Sequence, residues 1–197
     1  MNKKEEKLEE LKKEILSQGM ISALSPRLVF GEGNINTDVV FIGEAPGQKE
    51  DELLRPFVGR AGTVLNKNIE EIGWKREDVY ITNIVKQRPP NNRDPLPEEI
   101  ELYRPYLLKH IEILNPKIIV PLGRFAMNYF LPTAKISQDQ GKLFFSHGRF
   151  VFPIYHPAAA LRATAVMQDF KKSFRTLALL VKKYDALLKK AKEEGIL

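Results

Sequence analysis

Four short apolar runs, separated by helical stretches, predict an α/β fold: a three-layer α/β/α sandwich around a central four-stranded parallel sheet. The runs are VVFIG (39–43), VYITNIV (79–85), KIIVPLG (117–123) and RFVFPIYH (149–156). Each is rich in Val, Ile, Phe or Tyr and nearly continuously apolar, the pattern of strands covered on both faces rather than of an alternating antiparallel sheet. Strand-like and helix-like segments also take turns along the chain, as βαβ units require.

The elements follow in order. Leu8, Leu11 and Ile15 fall on one helical face and predict an N-terminal helix over about 2–18. After the first strand, GRAGTVLNKNIEEIGW (59–74) predicts a helix ending near Gly73. LPEEIELYRPYLLKHIEIL (96–114) predicts another, with a break or kink at Pro105. GRFAMNYFL (123–131) gives a third, and one long helix over about 164–194 closes the chain. With no internal repeat and no low-complexity linker, residues 1–197 are expected to form a single domain.

Composition narrows the function classes. A hydrophobic fraction of 43% excludes a wholly disordered chain. The N-terminal segment is charged, without the apolar core of a secretory signal, and no apolar run is long enough to span a bilayer, so a cytoplasmic protein with no membrane partner is expected. The absence of cysteine removes disulfides, thiol nucleophiles and thiolate metal sites. His110, His147 and His156 match no zinc spacing, so no metal is expected. A net charge of +6 fits a polyanionic partner, and fits equally a lysine-rich soluble surface.

In folds of this class, ligands bind beyond the carboxyl ends of the parallel strands, so the residues just after each strand carry the chemistry. The first strand ends in GEAPGQKED. Glu44 there is either a solvent-facing or helix-capping carboxylate or one that positions or activates water. Gly43 and Gly47 let a ligand approach the backbone, and without a following Lys-Ser/Thr this is no phosphate-binding P-loop. Asn83 interrupts an apolar strand. Its amide either bonds neighbouring backbone or reads a base edge, complementing uracil in one orientation and cytosine in the other. His156 is either structural or a hydrogen-bond donor to a developing anion. Phe57, in RPFVGRAG, belongs to the core or stacks on a planar base. RPPNNRD (88–94) is an exposed loop or a phosphate contact through Arg88 and Arg93, helped by Lys86, Arg55, Arg60 and Arg162.

Together GEAPGQKEDE, RPFVGRAG, VYITNIVKQRPPNNR and IYHPAAALR, in this order from about Val29 to Arg162, resemble the family 4 uracil-DNA glycosylases. The resemblance implies the same sandwich fold and a hydrolase that excises uracil from DNA in base excision repair. It implies that Glu44 meets the catalytic water, that backbone at Ala45 meets uracil O2, and that Glu50 stands against C5 and excludes thymine's methyl group. It further implies that Phe57 stacks on the flipped base, Asn83 reads it, His156 stabilises the anionic leaving group, and Leu161 and Arg162 probe the DNA helix. The expected enzyme is monofunctional, because no motif lysine suits Schiff-base chemistry, and is expected to be a monomer.

Two departures accompany the resemblance. Family members normally carry four cysteines holding a structural [4Fe–4S] cluster, at positions falling near Leu16, Gly19, Gln87 and Tyr103; none is cysteine here, so no cofactor is expected. In its place the expectation is apolar packing by Leu16, Met20 and Tyr103, with Gln87 hydrogen-bonding locally. The superfamily's better-known branch has an aspartate where Ala45 stands, which leaves Glu44 as the candidate for water. The competing readings are a glycosylase for another deaminated base, hypoxanthine or xanthine, and a non-catalytic nucleic-acid-binding relative.

Overall fold

The four apolar runs lie side by side in the structure, a computed structural model that describes residues 2–19, 21–146 and 148–195. The strands are β1 (Glu32–Gly33), β2 (Val39–Gly43), β3 (Tyr80–Asn83), β4 (Ile118–Pro121), β5 (Phe144–Ser146) and β6 (Arg149–Val151). Among the described residues they form one sheet in the order β1-β3-β2-β4-β6-β5. The inner strands β3, β2, β4 and β6 are parallel, as the apolar runs predict. The sheet is wider than the predicted four strands, because β1 and β5 each add an antiparallel edge. Two or three residues are too few to carry a readable alternation.

The helices are α1 (Lys3–Glu14), α2 (Gln48–Leu53), α3 (Arg60–Glu71), α4 (Pro97–Leu114), α5 (Arg124–Phe130), α6 (Ile136–Asp139), α7 (Pro157–Ala160), α8 (Thr164–Lys182) and α9 (Tyr184–Glu193). They cover both faces of the sheet. Val40 and Ile42 of β2 pack with Leu8 and Leu11 of α1, Leu107 and Ile111 of α4 and Ala126 of α5. The alternate residues Val39 and Phe41 pack with Leu65 and Ile69 of α3 and with Phe170, Phe174 and Leu177 of α8. Every residue of β2 is therefore buried, which is why the strand shows no polar alternation.

Two helix expectations change. The long C-terminal helix is two helices, with Lys183 between them at φ −100°, ψ 9°. No Gly or Pro marks the break; it lets Tyr184 set its ring edge-on to Phe150, 5.8 Å away, beneath the Lys117 ammonium. α4 instead runs unbroken through Pro105, which lies on the exposed face where water can satisfy the carbonyl the ring leaves unpaired. α1 widens into a π-helical turn over Ile15–Gly19, and Gly19 lies so close to the Tyr106 ring that a Cβ would sit 2.8 Å from it.

The segment after this turn is tied to the loop following β3. Val29 N–H donates to the Lys86 carbonyl and Ser25 N–H to that of Arg88. Gln87 completes the tie. Its buried Oε1 accepts from Ile21 N–H at 2.7 Å and from the Tyr103 hydroxyl at 2.6 Å, and its Nε2 donates to the Ser25 carbonyl at 2.7 Å. The expected replacement for the cluster is thus corrected. Gln87 bonds across three segments rather than locally, and Leu16 is exposed rather than packed. Met20 lies outside the described residues. Removing the carboxamide in Gln87→Ala strands the Ile21 N–H, the Ser25 carbonyl and the Tyr103 hydroxyl together. A loss of about 2–4 kcal/mol is expected, read from the urea midpoint at unchanged slope.

Candidate active site

The sheet register gathers the predicted residues at one edge. Gly43 stands opposite Asn83 at the carboxyl ends of β2 and β3. Beyond β4, Gly123 N–H bonds the Ile154 carbonyl, which brings the turn carrying His156 alongside. Ala45, Gly47, Glu50, Phe57, Ala61, Asn83 and His156 line a pocket of about 180 Å³. That is below the ~300 Å³ of typical drug-sized sites and suits one flat heterocycle. Larger clefts lie elsewhere. One of 330 Å³ is at the amino ends of the strands around Thr37 and Asp78, and one of 510 Å³ is between α4 and α5. The small pocket alone among these three collects the strand-end groups.

Its floor depends on a missing Cβ. A Cβ at Gly43 would lie 2.4 Å from Asn83 Oδ1 and 2.6 Å from the Phe57 ring. Asn83 is 2% exposed, and its Oδ1 is buried with no hydrogen-bond partner in the protein. A buried acceptor left open costs free energy unless something else satisfies it. The natural complement is a donor on a molecule in the pocket.

Phe57 and His156 form the walls, their ring centroids 5.7 Å apart and tilted by 38°. Phe57 is buried and holds a left-handed backbone conformation, φ 51°, where bulky residues are rare. His156 caps α7: its Nδ1 accepts from Ala158 N–H at 3.2 Å, so the ring proton of the neutral imidazole is on Nε2. Burial pushes its pKa down to about 4, nearby Arg162 adds to this, and Glu50 opposes it. The imidazole is therefore neutral at physiological pH, a hydrogen-bond donor rather than an acid.

Glu50 and Glu44 take different places. Glu50 lines the pocket, and its Oε1 accepts from the backbone N–H groups of Val58 and Gly59 at 3.0 and 2.9 Å. Glu44 does not line the pocket; it stands beside Ala45, with Asp94 and Arg124 as its charged neighbours. Burial raises its carboxyl to about 7, Asp94 pushes in the same direction and Arg124 opposes. A carboxyl near 7 takes up and releases protons at working pH, as a general base requires.

The expected phosphate contacts divide. Arg60, Leu161 and Arg162 are exposed beside the pocket, at the start of α3 and the end of α7. Arg88 is half-buried and donates to Asn92 Oδ1. Arg55 and Arg93 are each committed to a carboxylate, Glu32 and Glu99 respectively. Lys86 is a correction: it is completely buried, and its ammonium donates to the Phe30 carbonyl, the Thr82 hydroxyl and the Asn83 carbonyl. Burial pushes its pKa down to about 7. No phosphate can reach it; a lysine three residues before a double proline reads as a surface cation only if the loop is assumed exposed. The RPPNNRD loop itself turns on Asn91 and Asn92, both left-handed, at φ 55° and 53°, a conformation asparagine tolerates.

The cluster that the resemblance implies does not fit the residues present. Gln87 and Tyr103 spend their polar atoms on each other and on the 21–25 segment, and Leu16 faces solvent. Among the described residues no group of three or more His, Cys, Asp or Glu is placed to hold a metal ion. Sequence reasoning passed over Ala61, Gly62 and Arg76. Ala61 and Gly62 were readable only as helix residues, and Arg76 belongs to no motif.

Comparison with known proteins agrees with this geometry. Residues 30–178 match the uracil DNA glycosylase superfamily. A type-4 uracil-DNA glycosylase of Archaeoglobus fulgidus is 40% identical over 186 residues, covering 89% of this chain and 94% of that protein. One from Sulfurisphaera tokodaii is 42% identical over 193 residues, 90% and 87% of the two chains, and one from Thermotoga maritima is 44% identical over 155 residues, 74% and 81%. The chain belongs to the type-4 branch of the uracil DNA glycosylase superfamily.

Replacing Gly by Ala in a strand ordinarily stabilises a protein slightly. Gly43→Ala is expected to do the opposite, by about 1–3 kcal/mol, because its methyl group meets Asn83 and Phe57. Thermal and urea unfolding of the variant measure the sign directly.

Proposed function

We propose that this chain is a monofunctional uracil-DNA glycosylase of base excision repair, which hydrolyses the N-glycosidic bond of deoxyuridine in DNA to give free uracil and an abasic site. The observation that carries the reading is the unpartnered Asn83 Oδ1 on the floor of a base-sized pocket. In the orientation the structure gives, that acceptor suits N3–H of uracil, whereas N3 of cytosine, itself an acceptor, would need the amide reversed. The Phe57 ring stacks on the base, and Glu50, anchored through Val58 and Gly59, stands where it excludes a 5-methyl group.

The mechanism follows from the protonation states. The deoxyuridine turns out of the helix into the pocket, with Arg60, Leu161 and Arg162 at its mouth meeting the DNA. The C1′–N1 bond breaks and its electron pair stays on the base. A histidine already neutral cannot protonate the leaving group, so uracil departs as an anion that the His156 Nε2–H and backbone near Ala45 stabilise; one such donor is commonly worth ~3 kcal/mol. Water adds to C1′ of the sugar cation, and Glu44 takes its proton. No step requires a metal, a cluster or a lysine adduct. The same reading makes the protein a cytoplasmic, monomeric, single-domain enzyme.

The test is cleavage of end-labelled DNA carrying one uracil, followed by alkali, with thymine, hypoxanthine and xanthine substrates in parallel. Cleavage at uracil alone is expected, with Asn83→Ala losing about 100-fold or more. Cleavage at a purine instead would assign another deaminated base, and DNA binding without any cleavage would make the chain a binding protein.

The raised Glu44 carboxyl sets the pH dependence. Single-turnover rates at saturating protein are expected to rise roughly tenfold from about pH 6 to 8 and then level, and Glu44→Gln is expected to flatten that limb at a much lower rate. Stability moves the other way. Between about pH 4.5 and 7 the folded chain keeps a proton that the unfolded chain has released, so stability falls as pH rises through that window. Glu44→Gln lacks the fall and is expected to be about 1–2 kcal/mol more stable than wild type at pH 8, after allowance for solvent screening.

A further inference from the structure

The stacking residue is held in place from outside the pocket. Phe57 keeps a positive φ, and its carbonyl lies against α3 so closely that a Cβ at Gly62 would sit 1.8 Å from it. A peptide held in such a conformation persists only when its surroundings over-determine it. Arg76, in the short helical turn Arg76–Asp78 before β3, does this. Its Nη1 donates to the Phe57 carbonyl at 3.3 Å and its Nη2 to the Pro56 carbonyl. The same guanidinium is oriented by Asn66 Oδ1 at 2.6 Å and by Glu32 Oε1, which accepts from Nε at 2.9 Å and from Nη2 at 2.6 Å. Glu32 in turn is fixed on β1 and also accepts two bonds from Arg55. The plane of one side chain thus ties β1, α3 and the turn before β3 to the two peptides that aim the Phe57 ring.

We propose that Arg76 is a positioning residue for base recognition, setting the Pro56–Phe57 backbone so that the Phe57 ring stands over the pocket; this rests on the uracil reading above. Arg76 touches no substrate. Its effect passes through Phe57. A lysine at this position keeps a positive charge beside Glu32 but cannot reach both carbonyls and Asn66 in one plane. Charge retention therefore does not rescue the function.

The test compares wild type, Arg76→Lys, Arg76→Ala, Phe57→Ala and the double variant Arg76→Ala/Phe57→Ala. Three quantities are measured: kcat/KM on uracil-containing DNA, the inhibition constant of free uracil, and affinity for abasic-site DNA. Both single Arg76 variants are expected to lose at least tenfold in kcat/KM and in uracil affinity while binding abasic DNA as wild type does. Adding Arg76→Ala to Phe57→Ala is expected to change little, since the ring it aims is already gone. Millimolar guanidinium, but not ammonium, is expected to restore part of the Arg76→Ala activity. Wild-type values in Arg76→Lys, or fully additive losses in the double variant, overturn the proposal. Hydrogen exchange across residues 54–60 supplies an arm independent of substrate. Faster exchange in Arg76→Ala at the Val58 and Gly59 amides, with the rest of the chain protected, is expected, and unchanged exchange overturns the proposal. An inactive wild type would sink the uracil reading, and the exchange result would still decide whether Arg76 holds Phe57.

Discussion

The site depends on a close approach that only a residue without a side chain permits. At the carboxyl end of β2, Gly43 leaves so little room that a Cβ there would meet both the Asn83 amide on the pocket floor and the Phe57 ring in its wall. A side chain at that position would crowd both pocket-lining groups. Its absence also explains why Asn83 can lie at the end of a fully buried strand without a protein partner for its oxygen. The sheet supplies the burial, the glycine supplies the room, and the unmet hydrogen bond is held open by both. An acceptor satisfied by the protein would read nothing; an acceptor exposed to solvent would be satisfied by water and would discriminate weakly.

Around that floor, burial moves two ionisable groups toward their neutral forms. The chain is basic overall, yet His156 in the pocket wall is shifted down to about 4, and Glu44, beside Ala45 and outside the pocket lining, up to about 7. Positive charge is left to Arg60 and Arg162 outside, where a phosphate backbone would run. A neutral imidazole with its proton fixed on Nε2 needs no reorganisation when negative charge develops on a leaving base. The Ala158 N–H that fixes that proton comes from the first turn of α7, so the helix start orients the donor. The Pro following His156 presets that turn, because proline is favoured at the first helical position.

Much of this was legible in the sequence because it lies in continuous stretches. The inner strands read correctly from unbroken apolar runs; Phe57, Asn83 and His156 stand out as candidates from their own stretches, while Ala45 and Glu50 are named only through the resemblance. What the sequence hid is what depends on distant partners. β1 and β5 are strands only because β3 and β6 present free edges to them. Lys86 reads as a surface cation until Phe30, 56 residues away, provides a carbonyl and a ring beside it. Arg76 reads as nothing, since its partners Glu32, Pro56, Phe57 and Asn66 share no motif with it. The α8–α9 break is invisible because no Gly or Pro marks Lys183, and the residue that Tyr184 meets beyond it, Phe150, lies on another element.

The Gln87 node lies where the resemblance places a cluster ligand, and it ties the 21–25 segment to α4 by hydrogen bonds. A cluster held by four thiolates joins separate segments through one centre and tolerates some exposure, because its bonds are covalent in strength. A carboxamide joins segments through the same kind of centre, but each of its bonds competes with water. It therefore needs to be dry, and it is: Gln87 is 1% exposed and Tyr103 is fully buried. The burden passes from ligand identity to packing. Leu107 and Ile111 on α4, with Ile15 at the end of α1, build the apolar cluster that also contains Tyr103 and so keep water from the node. Leu16 carries none of that burden and faces solvent, whereas the fold has already committed the polar atoms of Gln87 and Tyr103.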